Sequence, residues 1–530
     1  MTAPERDHAV RSLDLGAIFY PRGGSAQLIR YLVPHLERYG DLRVRLFVGS
    51  LGEVGALSHA QTFYQNIEVL PADYTAAVAD ASSGLDPMLA RVPLHPSYED
   101  RHGVPDRIFT AVSPEQADHL ERFWTGQFRE LGAQRADVLH LFHLTPLHAA
   151  AAALRPGRAL VTTLCGTELK MMDAAERRLR LARRLGTTPA DLADQFERAG
   201  AAIGELMDQM TAEHDLDTDD RSLLASGRWE QWRYAEYWLS TMRRWADSSS
   251  RLVVSSDHDN VEAQRILGRS AADLVQLSPG VDVERFVPLG LSDEQRLSHL
   301  RTWLVRESKA ALPDDVPGSL RYTETDIDRL RLPDGSLRPI LLFVGRFLEF
   351  KRLRLLIRAF AKVRTMTQTD PLLIIWGGYP GELEGEHPFR TVAEHGLLDD
   401  VYFIGWRDHA DLSIGLNVSD VMVAPAYNES FGQVYLEAMA CGRPVVASAS
   451  GGPLNFVHTA GPDANGWLVT PDDDNELAET LRVVVTDPQE RRRRGEQGLS
   501  FVRRNYSWAA MAVKYLDVYA GAIRDAKAGR

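Results

Sequence analysis

Short apolar runs alternate with stretches of helical period along most of the chain. Residues 16–20, 42–48, 137–142, 159–164, 251–255 and 274–277 read as strands. After Gly23-Gly24, apolar side chains fall at Leu28, Ile29, Leu32, Val33 and Leu36, which is one face of a helix. A second series opens near Pro339, with runs at 340–344, 372–376, 401–404, 421–424 and 444–447. A helix is expected from Lys351 to about Val363. Such alternation predicts parallel sheets with helices on both faces, so the chain is an α/β protein with two similar halves. No short repeat period runs through it, which excludes a solenoid.

Two stretches break the alternation. Residues 170–250 read as mostly helical and carry Trp229, Trp232, Tyr234, Tyr237, Trp238 and Trp245. Their spacing is not a single helical stripe, so packing against the first half or lining an acceptor site is expected. Docking on lipid or on a partner protein is the alternative. Residues 289–338 are charged, contain Pro313, Pro317 and Pro333, and read as a connector or insertion. The expected organisation is a first domain over 1–288, a connector over 289–338 and a second domain over 339–505. A C-terminal helix over 506–530 is expected to pack back on the first domain.

Composition narrows the class. The 530 residues are 44% hydrophobic and 25% charged, which suits a soluble globular chain of about two to four domains. Two cysteines, Cys165 and Cys441, exclude a disulfide framework and a cysteine-rich zinc site. With a polar N-terminus, this points to the cytoplasm. No apolar window is long enough to span a membrane. The net charge of −13 argues against nucleic acid and anionic membrane surfaces as partners.

The densest candidate chemistry is Glu429-Ser-Phe-Gly-Gln-Val-Tyr-Leu-Glu437. A strand ends just before it, and a helix opens near Phe431-Gly432. Unpaired amides at a helix start suit a phosphate, and Gly432 lets a ligand approach the backbone. Carboxylates at Glu429 and Glu437 suit vicinal hydroxyls on either side of a diphosphate. A helix with one capping and one surface glutamate explains the spacing equally well. The second signal is Arg346 with Lys351, at the carboxyl edge of the second sheet, where open α/β sheets bind ligands. Two cations there could neutralise a diphosphate. Arg352, Arg354 and Arg358 read as a solvated basic face. Further turns are Tyr20-Pro-Arg-Gly23-Gly24, Asp137-Val-Leu-His140-Leu-Phe-His143, Gly166-Thr167-Glu168 and Gly280-Val-Asp282.

Together these residues resemble the retaining, nucleotide-sugar-dependent glycosyltransferases of family 4 (glycosyl transferases group 1). These have two Rossmann-like domains facing across a cleft, the GT-B arrangement. The resemblance spans the chain except 170–250 and 289–338. It implies that Glu437 holds the donor ribose and Glu429 the transferred sugar. Arg346 and Lys351 would meet the leaving diphosphate, with the amides of Gly432, Gln433 and Val434. Gly24 would place its backbone beside the donor phosphate or the acceptor. The family's histidine two places beyond His140 is Phe142 here, so His143 becomes the candidate. Pro453-Leu-Asn455 stands where the family commonly has Pro-Glu. The implied co-substrate is a nucleoside-diphosphate sugar, with a UDP-sugar expected. No metal is expected, and the acceptor is a small molecule or a glycan.

Other classes remain open. The Asp-x-Asp letters at 215–219 and 326–328 would serve a metal-dependent transferase, but none follows an apolar strand. A phosphorylase or sugar-phosphate synthase could share the architecture. A non-enzymatic protein binding membranes or partners through residues 229–245 is the reading from a different class.

Overall fold

The computed structural model describes residues 10–99, 104–154, 157–226, 228–378, 383–429 and 431–528. Ser430 of the dense motif and the first nine residues lie outside them. The chain divides into two compact units. One holds 1–255, 259–277 and 512–530; the other holds 256–258 and 278–511.

The first unit is built on seven parallel strands. These are β1 (Ser12–Ala17), β2 (Arg43–Ser50), β3 (Glu68–Asp73), β4 (Val138–Phe142), β5 (Ala159–Thr163), β6 (Arg251–Val254) and β7 (Leu274–Gln276). Their order is β3-β2-β1-β4-β5-β6-β7. The central strands are buried on both faces, hence their unbroken apolar runs. β1 begins four residues earlier than the run at 16–20 suggested. Asp14 hides it: the residue is buried in the strand and held by Arg45 of β2 through bonds of 2.8 and 2.7 Å. β3 escapes the pattern because it is an edge strand with half its residues exposed and a proline, Pro71, inside.

Residues 167–247 form five helices. Trp232, Trp238 and Trp245 enter the core of the first unit, and Trp229 joins a small core of its own with Leu181, Leu192, Phe196, Leu216 and Leu224. The aromatic stretch therefore packs inward. The final helix, Trp508–Lys527, brings Tyr519 to His140 at 2.8 Å and Asp525 to Arg251 at 2.6 Å.

The second unit holds six parallel strands, β8 (Ile340–Gly345), β9 (Leu372–Gly377), β10 (Val401–Gly405), β11 (Val421–Ala424), β12 (Val445–Ser448) and β13 (Gly466–Val469). Their order is β10-β9-β8-β11-β12-β13. The edge strand β13 carries no strong apolar run and was not expected. The charged stretch 289–338 is not a bare linker. Its helices place Leu297, Leu300, Trp303, Leu304 and Ile327 in the core of this unit. The helix expected from Lys351 begins at Leu353, because Arg352 adopts a left-handed backbone (φ 54°) and Lys351 closes a preceding 3₁₀ turn. No helix among the described residues is long and apolar enough to cross a membrane.

Two buried histidines of the first unit give it a pH signature. Burial pushes His140 down to about 3 and His148 down to about 4. His140 lies between the hydroxyls of Tyr519 and Thr163, and His148 between the Thr145 carbonyl and the Thr162 hydroxyl. The unfolded chain protonates both near pH 6.5, and the folded chain resists until the lowered values. Stability is therefore full above about pH 6.5 and falls as pH drops toward 3–4, by up to about 1.4 kcal/mol per pH unit for each histidine. These two histidines should give thermal unfolding a steep acid limb between about pH 6.5 and 4.5. An unchanged midpoint down to pH 4.5 would contradict this account.

Candidate nucleotide-sugar site

Strand order reverses at one point in each sheet, between β1 and β4 and between β8 and β11. Loops leaving the carboxyl ends of such neighbours diverge and leave a crevice for ligands. In the second unit, β8 delivers Arg346 and Lys351, and β11 delivers the segment from Glu429 to Glu437. The two loops are stitched together: Tyr427 donates its amide to Phe350 O at 2.7 Å, and the Lys351 ammonium forms an ion pair with the Glu429 carboxylate. Both side chains are largely buried, at 15% and 14% exposure. Lys351 and Glu429, 78 residues apart, thus meet at the switch point, and Arg346 sits one residue beyond β8.

The helix following Glu429 runs Gln433–Ala440, with Gly432 as its N-cap at φ 86°. Among the described residues no side chain caps this helix and its first turn holds no acidic residue, so the amide end keeps its positive dipole. Gln433 is also tied by its side chain to Gly280 O at 3.2 Å. Val434 is the second helical residue. Glu437, in the fifth helical position, is nearly fully buried, and its Oε1 lies 2.8 Å from His409 Nε2.

The loop from Asn428 to Phe431 rests on Gly451-Gly452. Gly452 donates its amide to Glu429 O at 2.7 Å, and Ser450 Oγ receives the Asn428 amide at 3.0 Å. A Cβ on Gly451 would lie 2.2 Å from Glu429 O, and one on Gly452 2.2 Å from Phe431 O. The glycine pair is therefore a platform that fixes the height of Glu429. Arg352 and Arg354 are engaged in ion pairs with Asp472 (2.6 Å) and Glu349 (2.5 Å), and Arg358 lies 3.7 Å from Asp474. Their charge is spent on the surface of the unit.

The other two candidates lie in the first unit. Gly24 is the second residue of the exposed start of helix Gly23–Gly40, beyond β1. His143 follows β4 with a left-handed backbone, φ 65°, an uncommon conformation for a side chain of this size and one that marks functional positions. Its Nδ1 lies 3.2 Å from Glu168 Oε2, and Glu168 Oε1 accepts the Cys165 amide at 3.0 Å. Burial works against a charged ring, yet the neighbouring Cys165 and the Glu168 carboxylate hold His143 well above the ordinary histidine value. Glu168 is held below the usual carboxylate range by the same pairing, against its own burial. The pairing therefore favours a charged ring on His143, which donates hydrogen bonds to Glu168. Sequence reading missed His409, and it missed the partnership of Glu168 with His143. A histidine in the loop after the run at 401–404, at the sheet's carboxyl edge, was the available signal for the first.

Among the described residues, no three His, Cys, Asp or Glu side chains are grouped to hold a metal ion.

Residues 325–501 match the family model for glycosyl transferases group 1. The match lies within the second unit, and the two Rossmann-like sheets are of the kind found in GT-B glycosyltransferase structures. The D-inositol 3-phosphate glycosyltransferase 2 of Catenulispora acidiphila is 30% identical over 290 residues, covering 54% of this chain and 59% of that protein. The D-inositol 3-phosphate glycosyltransferase of Stackebrandtia nassauensis is 35% identical over 202 residues, covering 37% and 44%. The chain thus spans at most about three fifths of these curated relatives. Among solved structures, sucrose-phosphate synthase from Thermosynechococcus elongatus aligns over 98% of this chain and 100% of its own, with TM-score 0.58 and 18% identity. HepE of Anabaena, in complex with UDP and glucose, aligns over 96% and 98%, with TM-score 0.56 and 15% identity. At such identities the likeness is one of fold.

Proposed function

We propose that the chain transfers a sugar from a nucleoside-diphosphate sugar, a UDP-sugar foremost, to a hydroxyl of a small polar acceptor. The transfer retains the anomeric configuration and needs no metal. The observation that carries this reading is the Lys351–Glu429 pair beside the open helix start at Gly432, with Glu437 buried beyond it. An ammonium has three donors, so Lys351 can hold Glu429 and still reach an incoming phosphate. Arg346, Lys351 and the amides of Gln433 and Val434 then meet the charge that grows on the leaving diphosphate. This preorganised stabilisation replaces a divalent cation. Glu429 accepts hydroxyls of the transferred sugar, and Glu437 those of the ribose. The acceptor passes its proton to the leaving phosphate. Gly24 offers its backbone to the acceptor or the phosphate. The names of the relatives point to a phosphorylated polyol or sugar phosphate as acceptor class. The free thiols of Cys165 and Cys441 fit work in the cytosol.

A reaction with UDP-, GDP-, ADP- and dTDP-sugars in excess EDTA, with the product linkage read by NMR, tests this directly. Product with the donor's anomeric configuration is expected. Inversion, or activity lost to EDTA and restored by Mn²⁺, would refute the mechanism.

The two glutamates should fail differently. Glu437 meets a part of the donor that does not react, so Glu437→Gln should raise KM more than it lowers kcat and weaken binding of the free nucleoside diphosphate. Glu429 meets the reacting sugar. Glu429→Gln should lower kcat, relax discrimination between sugars differing in one hydroxyl, and leave diphosphate binding nearly unchanged. Calorimetry with the free diphosphate separates the two, and the reverse pattern would exchange their assignments.

A further inference from the structure

Glu437 does not stand alone in its pocket. Its side chain is 4% exposed, and a carboxyl group so deeply buried needs a hydrogen-bond partner. That partner is His409, whose Nε2 lies 2.8 Å from Glu437 Oε1 and donates to it. His409 is the first residue of helix His409–Val418, which follows β10. Its ring lies against the buried Phe286, with centroids 5.3 Å apart. One turn further along the same helix, Ser413 donates to Arg285 O at 2.8 Å, which pins the helix to the segment bearing Phe286. The ring is thus held on one side by an aromatic wall, and its N–H fixes one oxygen of Glu437.

We infer that His409 is a positioning residue for ribose recognition. It occupies Oε1 and turns Oε2 toward the diol. The inference rests on the reading of Glu437 as ribose ligand. It commits His409 to act through Glu437, with no contact of its own to the reacting sugar.

The test is a double-mutant cycle on the full chain. Binding of free UDP, GDP, ADP and dTDP is measured by calorimetry, and the tightest of them is carried through. His409→Ala should weaken it roughly tenfold, the scale of a lost hydrogen bond to a charged group. Glu437→Gln should weaken it at least as much. The double variant should bind no worse than Glu437→Gln, because a residue acting through another has nothing further to lose. His409→Gln retains an N–H donor and should recover most of the loss. In turnover, His409→Ala should raise the donor KM while leaving kcat within about twofold. Losses that add in the double variant, or wild-type binding by His409→Ala, would overturn the role of His409 alone. Unchanged binding by Glu437→Gln would overturn the ribose assignment, and this inference with it.

Discussion

Lys351→Ala is expected to lower turnover by roughly a hundredfold or more, the cost of removing one preorganised donor from a developing charge. Arg346→Ala should fall in the same range. In the unliganded chain Lys351 already neutralises Glu429, so its removal has two consequences. The leaving diphosphate loses a cation, and Glu429 is left largely buried without its partner, which disfavours its charged form. Lys351→Arg keeps the charge but exchanges a compact ammonium for a planar fork, and should recover only part of the rate. Both positions lie at the end of a strand and outside the core, so the circular dichroism spectrum should stay close to that of the parent chain. Near-normal turnover in both alanine variants would remove the diphosphate clamp from the mechanism.

Gly452→Ala is expected to disable the donor site without touching any side chain in it. The added methyl would stand 2.2 Å from Phe431 O and 2.4 Å from Phe431 Cα, atoms of the backbone that cannot swing aside. Gly451→Ala adds a strained left-handed backbone to a clash with Glu429 O. Each should cost on the order of 3 kcal/mol and force the segment around Glu429 off its platform. Loss of turnover should then match or exceed that of the Lys351 variant, with weakened binding of the free nucleoside diphosphate. Gly204→Ala is the control. It lies in helix Ile203–Glu213 with open space around it, and helix propensity favours the change. Gly452→Ala with normal melting and normal turnover would show that the loop does not depend on its floor.

Central strands such as β8, β9 and β11 were legible in the sequence because a strand covered on both faces must be apolar throughout. β3 and β13 were not: half of β3 is exposed and it contains Pro71, and β13 is four residues long with two of them only partly buried. Asp14 concealed the true extent of β1, because its ion pair with Arg45 compensates a burial that the residue type argues against. The donor motif was legible as a local arrangement of glutamates and a glycine about a helix start. Its floor, its ammonium partner and its histidine were harder to see. Glu429 meets Gly452 across 23 residues and Lys351 across 78, and Glu437 meets His409 across 28. Only the order of strands decides which loops become neighbours, and that order is set by packing.

The helical stretch between β5 and β6 leaves the sheet and returns to the adjacent strand, with Val161 and Arg251 paired across the gap. Much of it rests on its own small core around Phe196 and Trp229. Insertions or deletions in the part built on that small core would leave the strand register intact, whereas Trp232, Trp238 and Trp245 tie the rest of the segment into the core of the first unit. Relatives descended from a common ancestor could therefore differ in the length of this outer part while the paired strands on either side stay as they are.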